Sequence, residues 1–204
     1  MRLNALEFAL MNNPVRAAVQ RHVEARRLLR MAGPMRGGKA LEIGCGRGVG
    51  ATLILDVFGA HVVDAFDLDP RMVALARDRL RPRGSRVHLW VGDATAIPAA
   101  SATYDAVFDF GIIHHIPDWR LALREVHRVL KPGGRFYAEE ILASFIGHPI
   151  ARRLLDHPGT DRCDAPTFGA ALQEAGLTLR ASERLWGAVA WFAAVKSGGP
   201  TSCS

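Results

Sequence analysis

The sequence predicts an α/β domain with a mostly parallel sheet and helices on both faces. Short apolar strands alternate with helically patterned segments from residue 39 onward, and such alternation builds parallel crossovers. A turn carrying three alternating glycines, Gly44, Gly46 and Gly48, follows the first strand. The chain has 204 residues, 49% hydrophobic and 23% charged, enough for one domain with a sizeable core.

The expected strands are Lys39–Ile43, His61–Asp67, Arg86–Val91, Tyr104–Phe110 and Gly134–Ile141. Helical stretches separate them at Val49–Phe58, Pro70–Leu80 and Trp119–Leu130. Asp69 suits the N-cap of the second helix and Pro70 its first position, where a missing N–H costs nothing. Lys131-Pro132-Gly133-Gly134 supplies the breakers that end the third. Further on, Pro166–Ala175 reads as a helix. The β-rich runs Leu177–Trp186 and Ala188–Val195, split at Gly187, read as an antiparallel hairpin at one sheet edge.

Two amphipathic segments precede the first strand. Leu3, Leu6 and Leu10 are helically spaced, and Asn13-Pro14 opens a second helix. Its expected packed side carries Val15, Ala18, Val19, His22, Ala25 and Leu29, with Arg16, Gln20, Glu24 and Arg27 on a solvated side. The chain thus divides into a helical extension or lid (1–36), a core domain (37–197) and a disordered tail (198–204). Residues 1–36 hold seven arginines against Glu7 and Glu24, so +5 of the total charge of +6 lies there and the core is nearly neutral. That distribution argues against nucleic acid, which would draw positive charge across the core, and allows peripheral contact of residues 1–36 with an anionic membrane. No apolar run approaches the ~20 residues of a membrane span. Met1-Arg2-Leu3-Asn4 opens no signal-peptide block, so a cytoplasmic location, at most peripheral to a membrane, is expected. Cys45, Cys163 and Cys203 are too few and scattered for a disulfide framework, and Cys45 is read as packing inside the turn. His148, Asp156, His157, Asp161, Cys163 and Asp164 match no ligand spacing, so no metal is expected.

The run Ala40-Leu41-Glu42-Ile43-Gly44-Cys45-Gly46-Arg47-Gly48 carries the most chemistry. Glycines let a ligand lie against the backbone, and the Glu42 carboxylate just before them selects positive charge or several donors. A dinucleotide would bring a pyrophosphate to the same place and be repelled, which argues against a nicotinamide-dependent oxidoreductase. A cationic amino acid joined to a nucleoside fits, and S-adenosylmethionine is such a molecule.

Four blocks taken in order resemble the class I S-adenosylmethionine-dependent methyltransferases, in particular the small-molecule group that includes the ubiquinone/menaquinone-biosynthesis type. They are Leu41–Gly48, Phe66-Asp67-Leu68-Asp69, Val91-Gly92-Asp93-Ala94, and the run from Tyr104-Asp105-Ala106-Val107-Phe108 through His114-His115 to Leu130-Lys131-Pro132-Gly133-Gly134. The resemblance covers roughly residues 38–140, and the C-terminal hairpin by pattern. It implies a Rossmann-like seven-stranded sheet of order 3-2-1-4-5-7-6 with the last strand antiparallel. It also implies S-adenosyl-L-methionine as cofactor and S-adenosyl-L-homocysteine as product.

The resemblance further implies a set of cofactor residues: Glu42, Gly44, Cys45, Gly46, Gly48, Asp67, Leu68, Asp93, Ala94, Asp109 and Phe110. Glu42 would organise the loop near the ammonium, Asp67 would take the ribose hydroxyls, and Asp93 with the Ala94 amide would meet the adenine. Asp109 and Phe110 would touch the methionine portion. His114 and His115 follow the fourth strand, where either could serve as a base or instead cap and pack. Glu139 and Glu140 end the fifth strand, and alternation sends only one of them to the mouth. The Asn/Asp-Pro-Pro-Tyr/Phe motif of adenine-amino and glutamine-amide methylation and the Pro-Cys pair of cytosine methylation are absent; Asp109-Phe110-Gly111-Ile112 stands there. Apolar Ile112-Ile113 and Leu142–Ile146 suit a small, lipophilic acceptor, with in-line methyl transfer. An RNA or protein methyltransferase of the same fold and a non-catalytic cofactor-binding module remain as rivals, and the oligomeric state stays open.

Overall fold

A computed structural model describes residues 13–141 and 164–198 of the chain. The expected amphipathic segment with Leu3, Leu6 and Leu10, the expected polar loop residues His148 to Cys163, the apolar 142–146 segment and residues 199–204 lie outside the described residues. The strands are β1 (Lys39–Ile43), β2 (Val62–Asp67), β3 (Val87–Val91), β4 (Tyr104–Phe110), β5 (Leu130–Ile141), β6 (Leu177–Leu185) and β7 (Val189–Lys196). They form one sheet of order β3-β2-β1-β4-β5-β7-β6, in which β7 alone runs antiparallel to its neighbours. The order reverses beside β1, so the carboxyl ends of β1 and β4 open a crevice.

The helices are α1 (Pro14–Val19), α2 (Ala25–Ala32), α3 (Val49–Asp56), α4 (Pro70–Leu80), α5 (Trp119–Val129) and α6 (Ala165–Glu174). Asn13, Asp69, Asp118 and Asp164 each cap a helix by accepting a backbone N–H, and a proline follows three of the four caps. Helices α2, α3 and α4 bury Leu28, Ile54 and Val73 on one face of the sheet with Phe58, Phe108 and Tyr137. Helices α5 and α6 bury Leu123, Val126 and Phe168 on the other with Leu41, Ile43 and Phe136. Strand alternation makes this division: Phe136 and Ala138 face the second layer, Tyr137 the first.

Two expectations change. Helix α5 ends at Val129, and β5 begins at Leu130 rather than Gly134. Leu130 already pairs with Tyr104, and the breakers produce a register shift inside the strand, with Gly133 at φ +76°. The second change concerns α1 and α2. They form one helical run through a π-helical turn at Gln20–Glu24. Gln20 and Glu24 are buried and Arg16 and Arg27 half-buried, whereas Val15 is 72% exposed and Val19 and Val23 about as open as a surface residue. The side expected to be solvated therefore faces inward. The reason lies in the partner surface: near α1 the sheet presents the Glu139 carboxylate, not apolar side chains, and Arg16 and Glu24 meet it. Only α2 packs as an apolar helix, through Ala25 and Leu28.

Candidate functional site

A cavity of about 370 Å³ lies at the carboxyl ends of β1, β2 and β4. Its floor is the glycine turn Gly44–Arg47, its walls include Asp67, Leu68, Asp93, Ala94 and Phe110, and Asn13, Arg16, Ala17 and Gln20 of the N-terminal helix cover one side. Gly44 has φ +70°, and a Cβ there would fall 2.6 Å from Ile112 Cγ1. No other residue lets the turn pass under the β4 loop.

The Asp67 carboxylate braces this turn. Its Oδ2 accepts the Gly46 N–H at 2.9 Å and its Oδ1 the Asp69 N–H at 2.9 Å. The Leu68 N–H also reaches the carboxylate, which keeps acceptor capacity for a ligand hydroxyl. Burial holds the Asp67 carboxyl above its ordinary range despite these bonds. Asp93 Oδ1 accepts both the N–H and the hydroxyl of Thr95 at 2.8 Å, which fixes the loop after β3.

Glu42 is the most unusual lining residue. It is 1% exposed, takes the Ala51 N–H in the first turn of α3, and has an Oε2 with no hydrogen-bond partner. Burial, then Asp67 and then Asp109, push its carboxyl well above the usual range. A cation or an N–H donor entering the cavity would satisfy that oxygen and restore the ionised form. A phosphate there would meet two carboxylates instead. The sequence did not single out Gly50, which makes room for this carboxylate: a Cβ on it would lie 1.8 Å from Glu42 Oε1. A glycine inside an otherwise apolar helix was the available signal, because glycine costs a helix about 1 kcal/mol.

Several expected residues lie outside the cavity lining. Gly48 starts α3 at φ +80° and its Cβ position faces Leu80 and Ala76, so it serves helix packing. Asp109 is fully buried beneath the lining, where its Oδ1 accepts the Ile112 N–H at 2.9 Å. It is paired with Glu140; burial first, and Glu140 second, push its carboxyl well up. Glu140 Oε2 in turn bonds His114 Nδ1 at 2.7 Å, and burial pushes Glu140 up to about 7. His114 is thereby tied into the fold, and its ring contacts that of His115, with centroids 4.2 Å apart. His115 does line the cavity.

Glu139 and Glu140 point to opposite faces, and neither lines the cavity. Glu139 accepts from Trp191 Nε1 at 2.7 Å and lies 3.5 Å from Arg16, which also holds Glu24 at 2.6 Å. Burial, then Glu24, raise the Glu139 carboxyl well above its usual range. This cluster, which sequence reasoning missed, fastens the lining helix to β5. Cys45 lines the turn but is 3% exposed, and burial raises its thiol, which fits a packing role. Among the described residues no cluster of His, Cys, Asp and Glu could hold a metal ion.

Comparison with known proteins bears on the family and the cofactor. The family described as "Methyltransferase domain" matches residues 40–134, which span the glycine turn, Asp67, Asp93 and the β4 loop. Over residues 40–134 that match is in line with a class I S-adenosylmethionine-dependent methyltransferase. It is 39% identical over 149 residues to a probable S-adenosylmethionine-dependent methyltransferase of Mycolicibacterium smegmatis, covering 73% of this chain and 52% of that one. It is 32% identical over 142 residues to phosphoethanolamine N-methyltransferase 1 of Triticum aestivum, covering 69% of this chain and 28% of that one. The chain thus spans between about a quarter and a half of these relatives' lengths. Phosphoethanolamine N-methyltransferase 2 of Haemonchus contortus, solved in complex with S-adenosyl-L-methionine, superposes with a TM-score of 0.70 at 22% identity, covering 85% of this chain and 52% of that one. The cavity suits the methyltransferase cofactor on its own terms: the molecule carries an ammonium and a sulfonium, and Glu42 Oε2 is a buried carboxylate oxygen awaiting a donor.

Proposed function

We propose that this methyltransferase methylates a small, lipophilic molecule. The observation that carries the reading is the unpartnered Glu42 Oε2 beside the braced Asp67 carboxylate, an anionic pair suited to a cationic nucleoside. Glu42 would hold the ammonium end, Asp67 the ribose hydroxyls, and Asp93 with the Ala94 N–H the adenine. When bound, S-adenosylmethionine supplies an electrophilic methyl group on a sulfonium. Phe110, Ile112 and Ile116 give the acceptor side of the cavity an apolar lining that excludes water. His115 is the base candidate, since its ring reaches the cavity, while His114, held by Glu140, orients it. Glu139 acts on the helix that covers the site rather than on the acceptor.

The test is incubation of the purified protein with methyl-labelled S-adenosylmethionine and a fractionated extract. Label in the organic phase is expected. Label in acid-precipitable material would replace this reading with an RNA or protein acceptor, and cofactor binding without transfer to any fraction would favour a non-catalytic module.

A further inference from the structure

The outward face of α1 and α2 is built differently from the rest of the surface. Val15, at 72% exposure, Val19 and Val23 form one line at intervals of four residues. Exposed Arg26 and Arg30, three and seven residues past Val23, continue the same side. The one carboxylate within residues 13–36, Glu24, is turned inward onto Arg16. The outward face is therefore apolar and basic with no exposed acid.

A second element stands at the same end of the sheet. β7 begins at Val189 opposite Ile141, the last residue of β5, so the β6–β7 turn lies at the carboxyl end where the cavity opens. That turn presents Trp186, 93% exposed, with φ +50°. Leu68 and Val91, exposed at the ends of β2 and β3, share this end. An apolar line flanked by arginines, with an outward tryptophan nearby, is the composition of a helix that lies in a lipid–water interface.

We propose that the cavity end of the sheet docks on a lipid surface with anionic headgroups, through α1, α2 and Trp186. Valines and Trp186 enter the headgroup layer, and Arg26 and Arg30 pair with its charge. Arg16, Ala17 and Gln20 lie on the other side of the same helix and line the cavity, so docking brings the cavity to the membrane surface. This inference goes beyond the methyl-transfer reading and is measured without turnover.

The full chain is mixed with vesicles of equal phosphatidylcholine and phosphatidylglycerol, and with vesicles of phosphatidylcholine alone. Sedimentation with the anionic vesicles is expected, together with a blue shift of tryptophan emission that Trp186→Phe removes. Binding falls about five-fold for each of Arg26→Gln and Arg30→Gln, and falls on Val19→Ser, with circular dichroism and cofactor affinity unchanged. No binding to the anionic vesicles, or equal binding by these variants, overturns the proposal. So does a concentration-dependent dimer in sedimentation velocity that Val15→Ser and Val19→Ser abolish, since a second copy would then cover the face.

Discussion

Gly50→Ala sets two opposing effects against each other, and the structure decides the sign. Gly50 lies in the first turn of α3, where alanine is the better helix residue by about 1 kcal/mol. A Cβ there would sit 1.8 Å from Glu42 Oε1 and 2.8 Å from Phe110 Cδ2. Glu42 is 1% exposed and is packed between Gly50 and the turn. Overpacking of this kind costs about 1–3 kcal/mol, so the net effect is a loss of up to about 2 kcal/mol. For a domain of this size that lowers Tm by a few degrees, at roughly 2–4 °C per kcal/mol. Displacing Glu42 also weakens cofactor binding by roughly tenfold or more. Thermal unfolding with and without S-adenosylmethionine reads both effects. In a Glu42→Ala background the same substitution costs less, because the obstructing oxygen is gone and only the Phe110 ring remains close. A Gly50→Ala protein with a raised Tm and unchanged cofactor affinity would refute the packing of Glu42 described here.

Three further outcomes follow from the site. Asp67→Ala removes the acceptor for the Gly46 and Asp69 N–H groups as well as the proposed ribose ligand; calorimetry should show cofactor affinity reduced by at least about a hundredfold, and unchanged affinity removes Asp67 from that role. Glu140 has a folded pKa of about 7, raised from an unfolded value near 4.5, so its contribution is full below about pH 4.5 and is lost as pH rises toward 7. At about 1.4 kcal/mol per unit this is on the order of 3 kcal/mol, and Glu140→Gln should flatten that part of the pH–stability curve; an unaltered slope contradicts it. Arg16→Met leaves Glu24 and Glu139 without their shared cation. The cost, about 3 kcal/mol at pH 8, should shrink at pH 5, where the carboxyls take up protons, and urea unfolding giving the same cost at both pH values would speak against the cluster.

The strands were readable because each carries its own apolar run and its own breakers: β1 and β4 fall on the expected residues, and Gly187 does divide the last two strands. Their spatial order came from the family resemblance, since no single strand encodes its neighbour. The N-terminal helix was misread for a reason of distance. A stripe at positions 16, 20 and 24 looks solvated until Glu139, 123 residues from Arg16, is known to face it. Gly48 and Gly50 show the same limit at short range. Both are glycines near the turn, but only the three-dimensional neighbours, Leu80 for one and Glu42 for the other, tell the packing glycine from the one that seats a lining carboxylate. Asp109 ends its strand at the crevice, as a ligand would, yet Glu140 from the adjacent strand holds it below the lining.

The central claim is that a buried carboxylate, its carboxyl held well above the usual range by burial, receives a cationic cofactor. Isothermal titration with S-adenosylmethionine across a range of pH, repeated in two buffers of different ionisation enthalpy, tests it directly. Binding with release of a proton is expected, because the ligand's positive charge draws Glu42 back to its ionised form, and Glu42→Gln should bind more weakly without that release. Binding with no proton released by the wild-type protein, or equal affinity in Glu42→Gln, would contradict it.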